Sequence, residues 1–247
     1  MYTVLAFIFG LVFGSFFNVV GLRVPKKQSI VYPPSHCTSC ERRLTTIDLV
    51  PVLSYVLLRG KCRTCQATVS PIYPFMELLT GILFALAYVH FGITAEFFVA
   101  LLFISMLVCI TVSDIAYMLI PNKILLFFLP LLVVGRIFSP LTPWWDSLLG
   151  AVIGFGVLYI VALLSRGGMG GGDIKLFFVL GIVLGTLKTL LTLAFASAIG
   201  LVIGIIVLRI TKKGRKTPVP FGPSIALAAL LLYFYGERII AWYLNLL

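Results

Sequence analysis

The residues best placed to do chemistry are acids set among apolar runs. Asp114 lies in Ser113-Asp114-Ile115-Ala116-Tyr117-Met118-Leu119-Ile120-Pro121-Asn122, Asp173 follows the glycine-rich 167–172 stretch, and Glu77 lies in Pro74-Phe75-Met76-Glu77-Leu78. Carboxyl groups embedded in membrane helices are costly, and function is the default reason to keep them. Two carboxylates that share a site share a proton. One then activates water while the other donates to a carbonyl oxygen, which is hydrolysis without a covalent intermediate. Asp173 is expected to cap a helix starting at Ile174, at a positive dipole end, and Asp114 to close a helix at a negative end. That predicts Asp173 as the initial base and Asp114 as the initial acid of a pair that titrates as a unit. The structural alternatives are a linker plus cap at Asp173 and an ion pair from Asp114 to Lys123 or Lys175. No G-x-x-x-x-G-K-[ST] phosphate loop is present.

A second constellation is Cys37-Thr38-Ser39-Cys40 and Cys62-Arg63-Thr64-Cys65, with 21 residues between the pairs. Two C-x-x-C knuckles at this spacing suit a tetrahedral zinc thiolate site. Four thiolates fill the coordination shell, so the zinc is expected to be structural. His36 is an alternative ligand beside Cys37. Unliganded or redox-active thiols are the rival reading. Cys109, inside an apolar run, reads as packing.

The elements that must position these groups are membrane helices. Of 247 residues, 61% are hydrophobic and 11% charged, against about 25% charged in soluble domains, and the mean hydropathy is +1.14. The predicted fold class is an all-α polytopic membrane protein. About eight transmembrane helices are expected, at 2–22, 72–91, 97–118, 124–139, 147–165, 174–188, 190–209 and 222–243, with the fourth and sixth short. The first run lacks a basic n-region and a cleavage site, so it reads as a retained helix. The predicted domains are the first transmembrane helix (1–22), a small zinc-binding loop domain (23–71) and a transmembrane core (72–247). Basic residues are biased to one side. Sixteen of the 19 fall in the 23–71 segment, at Lys123, at Arg166 and Lys175, or in the 209–216 segment. That side is read as cytosolic, which puts Glu77, Asp114 and Asp173 near the cytosolic face. The net charge of +11 is attributed to topology and anionic lipids rather than nucleic acid. Glycines at 150, 154 and 156, at 181 and 185, and at 200 and 204 point to close helix packing. No repeat of fixed period is evident.

Gly170-Gly171-Gly172-Asp173 is a G-x-G-D motif and resembles that of the aspartic intramembrane proteases, which include presenilins and prepilin peptidases. Its company narrows the resemblance. Gly14-Ser15-Phe16-Phe17-Asn18-Val19-Val20, the cysteine pairs, Asp48-Leu49-Val50-Pro51-Val52-Leu53-Ser54-Tyr55, Pro74-Phe75-Met76-Glu77-Leu78-Leu79-Thr80, Asp114 with Ile120-Pro121-Asn122, and Pro220-Phe221-Gly222-Pro223 follow in the order of the prepilin peptidases. Over nearly its whole length the chain is identified as a member of the bifunctional prepilin leader peptidases and N-methyltransferases. The resemblance implies an enzyme of the bacterial inner membrane. It would cleave prepilin or pseudopilin leaders after a glycine at the cytosolic face, then methylate the new N-terminal amine, usually phenylalanine, from S-adenosylmethionine. It implies Asp114 and Asp173 as the protease pair, supported by Gly170 and Gly172, and Cys37, Cys40, Cys62 and Cys65 as metal ligands. Asn18 and Glu77 are candidate substrate or donor contacts; their structural alternative is hydrogen bonding between helices. A secondary transporter with a zinc-stapled loop is the alternative function, disfavoured because transporter ion sites lie near the midplane. A non-enzymatic assembly factor would need no aspartate pair.

Overall fold

A computed structural model describes residues 1–165, 170–211 and 220–245. Glycines 167 and 168, Met169 and the basic residues at 212–216 lie outside them. The described residues form eight helices: α1 (Tyr2–Arg23), α2 (Leu53–Leu57), α3 (Ile72–Phe91), α4 (Ala95–Tyr117), α5 (Asn122–Phe138), α6 (Asp146–Leu164), α7 (Gly171–Thr211) and α8 (Gly222–Leu244). Among the described residues there is no strand beyond two isolated bridges. The chain divides into two compact units, Met1–Val112 and Ser113–Leu247.

In the first unit, α1 packs on α3 through glycines. A Cβ built on Gly10 would lie 2.7 Å from the Gly81 Cα, and one on Gly14 would lie 2.8 Å from the Glu77 Cα. Cys109 is buried in α4, as packing requires. Between α1 and α3 the chain builds a small module from two near-copies of one knuckle, offset by 25 residues. In the first, Cys37 N–H donates to Arg42 O and Glu41 N–H to Cys37 O; in the second, Cys62 N–H donates to Ala67 O and Gln66 N–H to Cys62 O. Glu41 and Gln66 hold matching left-handed backbones, φ 56° and 57°. The bridges His36–Arg43 and Lys61–Thr68 close the two loops alike. This short internal repeat escaped the sequence reading because only its cysteines are identical.

In the second unit, α7 is a helical hairpin. Its 41 residues are interrupted at Gly185, with φ 76° and ψ −178°. Phe177 and Thr189 would lie about 18 Å apart along a straight helix. Yet a Cβ on Gly154 of α6 would sit 2.7 Å from Phe177 O and 2.9 Å from the Thr189 Cγ2. The chain therefore doubles back at Gly185, four residues before the break expected from the sequence. Only a glycine enters this backbone region without strain. Opposite charges bind the two cut ends. Arg136 Nη2 donates to Val183 O at 2.6 Å, closing the first arm, and Thr186 N–H donates to Asp146 Oδ1 at 3.2 Å, opening the second. Cations at helix C-termini and anions at N-termini match the helix dipole. Of the predicted close-packing glycines, Gly150, Gly154 and Gly181 lie at the α6–α7 contact, whereas Gly156 and Gly204 face open space.

Six of these helices are long and apolar enough to cross a membrane, the 37-residue stretch of α7 counting once. The doubled α7 and the 17-residue α5 supply two further helical segments, to set beside the eight expected.

Candidate active site

Asp114 sits in the last turn of α4 and is 6% exposed. The helix ends just beyond it. Met118 takes φ 52° while its N–H still reaches Asp114 O at 2.8 Å. The buried Ser113 hydroxyl donates to Leu119 O at 2.6 Å, fixing the turn that leads through Pro121 into α5. Gly172 of α7 abuts that turn. A Cβ there would lie 2.8 Å from the Ile120 Cβ, so the missing side chain lets the start of α7 approach the end of α4. The Asp114 and Asp173 carboxylates are thereby within electrostatic reach of each other.

The geometry corrects two expectations. The helix bearing Asp173 starts at Gly171, not Ile174. Asp173 is therefore inside the first turn rather than at the cap, and its carboxylate accepts a hydrogen bond from the Gly170 backbone, as an acid at the third helical position does in a capping box. Asp114, in turn, does not answer only to the end of α4. Its Oδ2 accepts the Gly222 N–H at 2.6 Å, a buried bond, and Gly222 is the first residue of α8. Both carboxylates thus face helix N-termini, so the argument from opposed dipoles for a base at Asp173 and an acid at Asp114 loses its basis. The ion-pair alternative also lacks its partner at Lys175, which donates to Asn122 Oδ1 at 3.1 Å.

Gly222 is the residue that residue-level reasoning missed. A Cβ there would lie 2.7 Å from Asp114 Oδ2 and 2.9 Å from its Cβ. Its signal was the Pro220-Phe221-Gly222-Pro223 motif, whose bearing on Asp114, 108 positions earlier in the chain, no spacing rule conveys.

In the first unit, the sulfurs of Cys37, Cys40, Cys62 and Cys65 all lie within 4.8 Å of one another. The Cys37 and Cys65 Sγ atoms are 3.7 Å apart. Tetrahedral zinc with bonds of about 2.3 Å needs sulfurs about 3.8 Å apart, so the donor set fits this metal. The Ser39 and Cys40 backbone N–H groups pull the Cys37 thiol down to about 6, and those of Cys65 and Thr64 lower Cys62. At Cys65 the Ala67 N–H pulls down, but burial and the neighbouring sulfurs prevail and push it up to about 11. A metal ion bound to the four sulfurs would displace the proton that Cys65 holds. His36 stands apart from the cluster, a ring nitrogen 3.2 Å from Pro34 O. Asp48 joins the two knuckles, because its carboxylate meets Arg42 Nη2 at 2.5 Å and Arg63 Nε at 3.1 Å. The Thr45 N–H and hydroxyl also donate to it.

Between the knuckles and the ends of α1 and α3 lies a cavity of about 490 Å³, lined among others by Ser15, Asn18, Tyr55, Tyr73 and Glu77. This is the size range of small-molecule sites. Glu77 Oε2 accepts the N–H of Val52 at 2.8 Å, and the Ser15 hydroxyl also bonds its carboxyl group. Val52 has φ 62°, an outlier for a β-branched residue. Glu77 thus ties a strained loop to α1 and α3. Asn18 Nδ2 donates to Tyr73 O at 3.1 Å, so hydrogen bonding between helices, the structural alternative for both residues, is present.

Comparison with known proteins decides the family. Residues 8–91 match the model of the bacterial peptidase A24 N-terminal domain, and residues 101–205 that of the type IV leader peptidase family. A Bacillus subtilis protein named prepilin leader peptidase/N-methyltransferase is 45% identical over 240 residues, 97% of each chain. The chain belongs to the type IV leader peptidase family. An Aeromonas salmonicida protein of the same name is 32% identical over 99% of this chain and 94% of its own. A Pseudomonas aeruginosa one is 32% identical over 96% and 91%. No solved structure matches. The knuckles and cavity fall within the first matched range, and Asp114 and Asp173 within the second, whereas Gly222 lies beyond both. Family membership gives no support to the transporter alternative.

Proposed function

We propose that the protein cleaves the leader of type IV prepilins or pseudopilins and methylates the amine so exposed. The observation that carries the cleavage reading is the pairing of Asp114 and Asp173, each anchored by a backbone N–H at a helix start. Such anchoring leaves one oxygen of each carboxylate for the reaction. One carboxylate removes a proton from water as it attacks the scissile carbonyl. The proton shared by the dyad passes to the carbonyl oxygen, and collapse of the tetrahedral centre expels the amine, which leaves protonated. Gly170 and Gly172 support the pair by the turn and the close approach they allow.

The charge bias of the sequence, with Lys123 just after the turn that follows Asp114, supports a dyad at the cytosolic face of the bacterial inner membrane. A leader there meets the dyad where an apolar pilin helix leaves the bilayer. The cavity beside the knuckles is the methyl-transfer site. S-adenosylmethionine supplies an electrophilic methyl group, while Asn18 and the Glu77-tied loop shape the pocket that receives the amine. Zinc on Cys37, Cys40, Cys62 and Cys65 holds the loop that forms one wall.

Incubating purified protein with a prepilin and S-adenosylmethionine, then reading leader loss and methyl gain separately by mass spectrometry, tests both halves. Leader removal by the Asp114→Asn, Asp173→Asn double variant would refute the dyad.

A further inference from the structure

Asn18 is 4% exposed, yet its Oδ1 is a buried acceptor with no hydrogen-bond partner. The orientation of the amide is settled by chemistry. Nδ2 meets a carbonyl, Tyr73 O, which can only accept, so the amide cannot be flipped without setting two acceptors face to face. An unsatisfied buried acceptor is costly, and Asn18 is one of the residues that line the cavity beside the knuckles. Ser15, one turn before it on α1, and Glu77, one turn after Tyr73 on α3, line the same wall. The Glu77 carboxyl group receives Val52 N–H and the Ser15 hydroxyl. A carboxylate offers about four acceptor positions, so capacity remains. The wall is therefore rich in acceptors, and what completes it is a compact group that donates several hydrogen bonds.

We infer that Asn18 Oδ1, with Glu77 beside it, forms a subsite for a primary amine, and that the amine is the free N-terminus of the cleaved polypeptide. This rests on the methyltransferase reading and adds to it the atom that recognises the acceptor. An acetylated or already dimethylated terminus has fewer N–H groups to offer and is discriminated against. The subsite therefore also limits how far methylation proceeds.

The test uses the full-length protein in detergent, without methyl donor, and a Phe-initiated apolar peptide in free-amine and N-acetylated forms. Wild type should bind the free amine at least about 10-fold more tightly, the scale of a hydrogen bond between a charged donor and a buried acceptor. Asn18→Leu should reduce that preference to under about 3-fold, while an unchanged thermal-unfolding midpoint in detergent reports an intact fold. Equal binding of the two peptides by wild type would overturn the inference, with no variant needed. Loss of S-adenosylmethionine binding in Asn18→Leu, with the peptide preference intact, would also overturn it and give the acceptor to the donor instead. The two readings fail separately. A wild type that prefers the free amine but transfers no methyl group refutes the methyltransferase and keeps the subsite. One that methylates without any preference does the reverse.

Discussion

Substituting Gly222 by alanine adds one methyl group where the Asp114 carboxylate now sits. The new Cβ would stand 2.7 Å from Oδ2, 2.9 Å from Cβ and 3.0 Å from Cγ of Asp114, where ordinary contact begins at about 3.4 Å. The start of α8 and the end of α4 must therefore separate by roughly 0.5–1 Å. The 2.6 Å bond from Gly222 N–H to Asp114 then stretches to roughly 3.1–3.6 Å and weakens. Gly222 is not among the positive-φ glycines, so alanine meets no backbone strain there and the effect is purely one of position. A hydrogen bond to a charged group contributes about 1.5–3 kcal/mol, and a misplacement near 1 Å costs about 100-fold in rate. The two describe one event and do not add. Leader cleavage should fall about 100-fold, or roughly 2.7 kcal/mol of barrier. The assay follows leader release from a prepilin by mass spectrometry, with methylation of a pre-cleaved peptide as the control that the protein is folded. Cleavage within about 3-fold of wild type would refute the claim that the α8 N-terminus positions Asp114.

Gly185→Ala should destabilise the protein by about 1–3 kcal/mol, because it forces a left-handed backbone on a residue with a Cβ and drives that Cβ into the Asp146 carboxylate. Gly156→Ala, where nothing lies within 4 Å, should be neutral or stabilising in the same thermal-unfolding assay in detergent. Cys62→Ser should remove bound zinc, measured by elemental analysis, and abolish methylation while cleavage persists; methylation without zinc would refute the wall's role. Asp48→Asn should speed zinc transfer to a chelator by loosening the link between the knuckles. The Thr45 N–H, then its hydroxyl, Arg42 and Arg63 hold Asp48 below its ordinary 3.8. Its stabilisation is therefore complete above that value and lost as pH falls through the lower folded one. The variant's excess release rate should be constant from about pH 5 upward; an excess that grew as pH fell from 7 to 5 would contradict this.

The helices were legible because their code is redundant. A run such as Phe97–Val112 is apolar on every face, and no neighbour can overrule it. The C-x-x-C pairs were legible because metal geometry acts over four residues. The break in α7 was misplaced by four residues, as hydropathy does not change at Gly185; what changes is a dihedral angle, held by Arg136 and Asp146 from other helices. The polarity at Asp114 was misjudged for the same reason. A sequence shows which helix a residue belongs to, but not which other helix points at it. Glu77 shows the converse. Its depth marked it as special, while its partner, the Val52 N–H, lies in a loop where composition carries no signal.

The hairpin at Gly185 also bears on the lipid. The arm from Gly171 to the bend holds roughly 14 residues, about 21 Å of helix, whereas the hydrocarbon layer is about 30 Å thick. Tilting would only shorten the span of such an arm, so thinning of the bilayer around it is the expected response. The thinning is centred on the helix whose first turn carries Asp173. Water and a peptide bond, both excluded from an undisturbed bilayer, then reach the carboxylates over a shorter barrier. Lengthening the lipid tails should slow cleavage without altering a single contact in the protein.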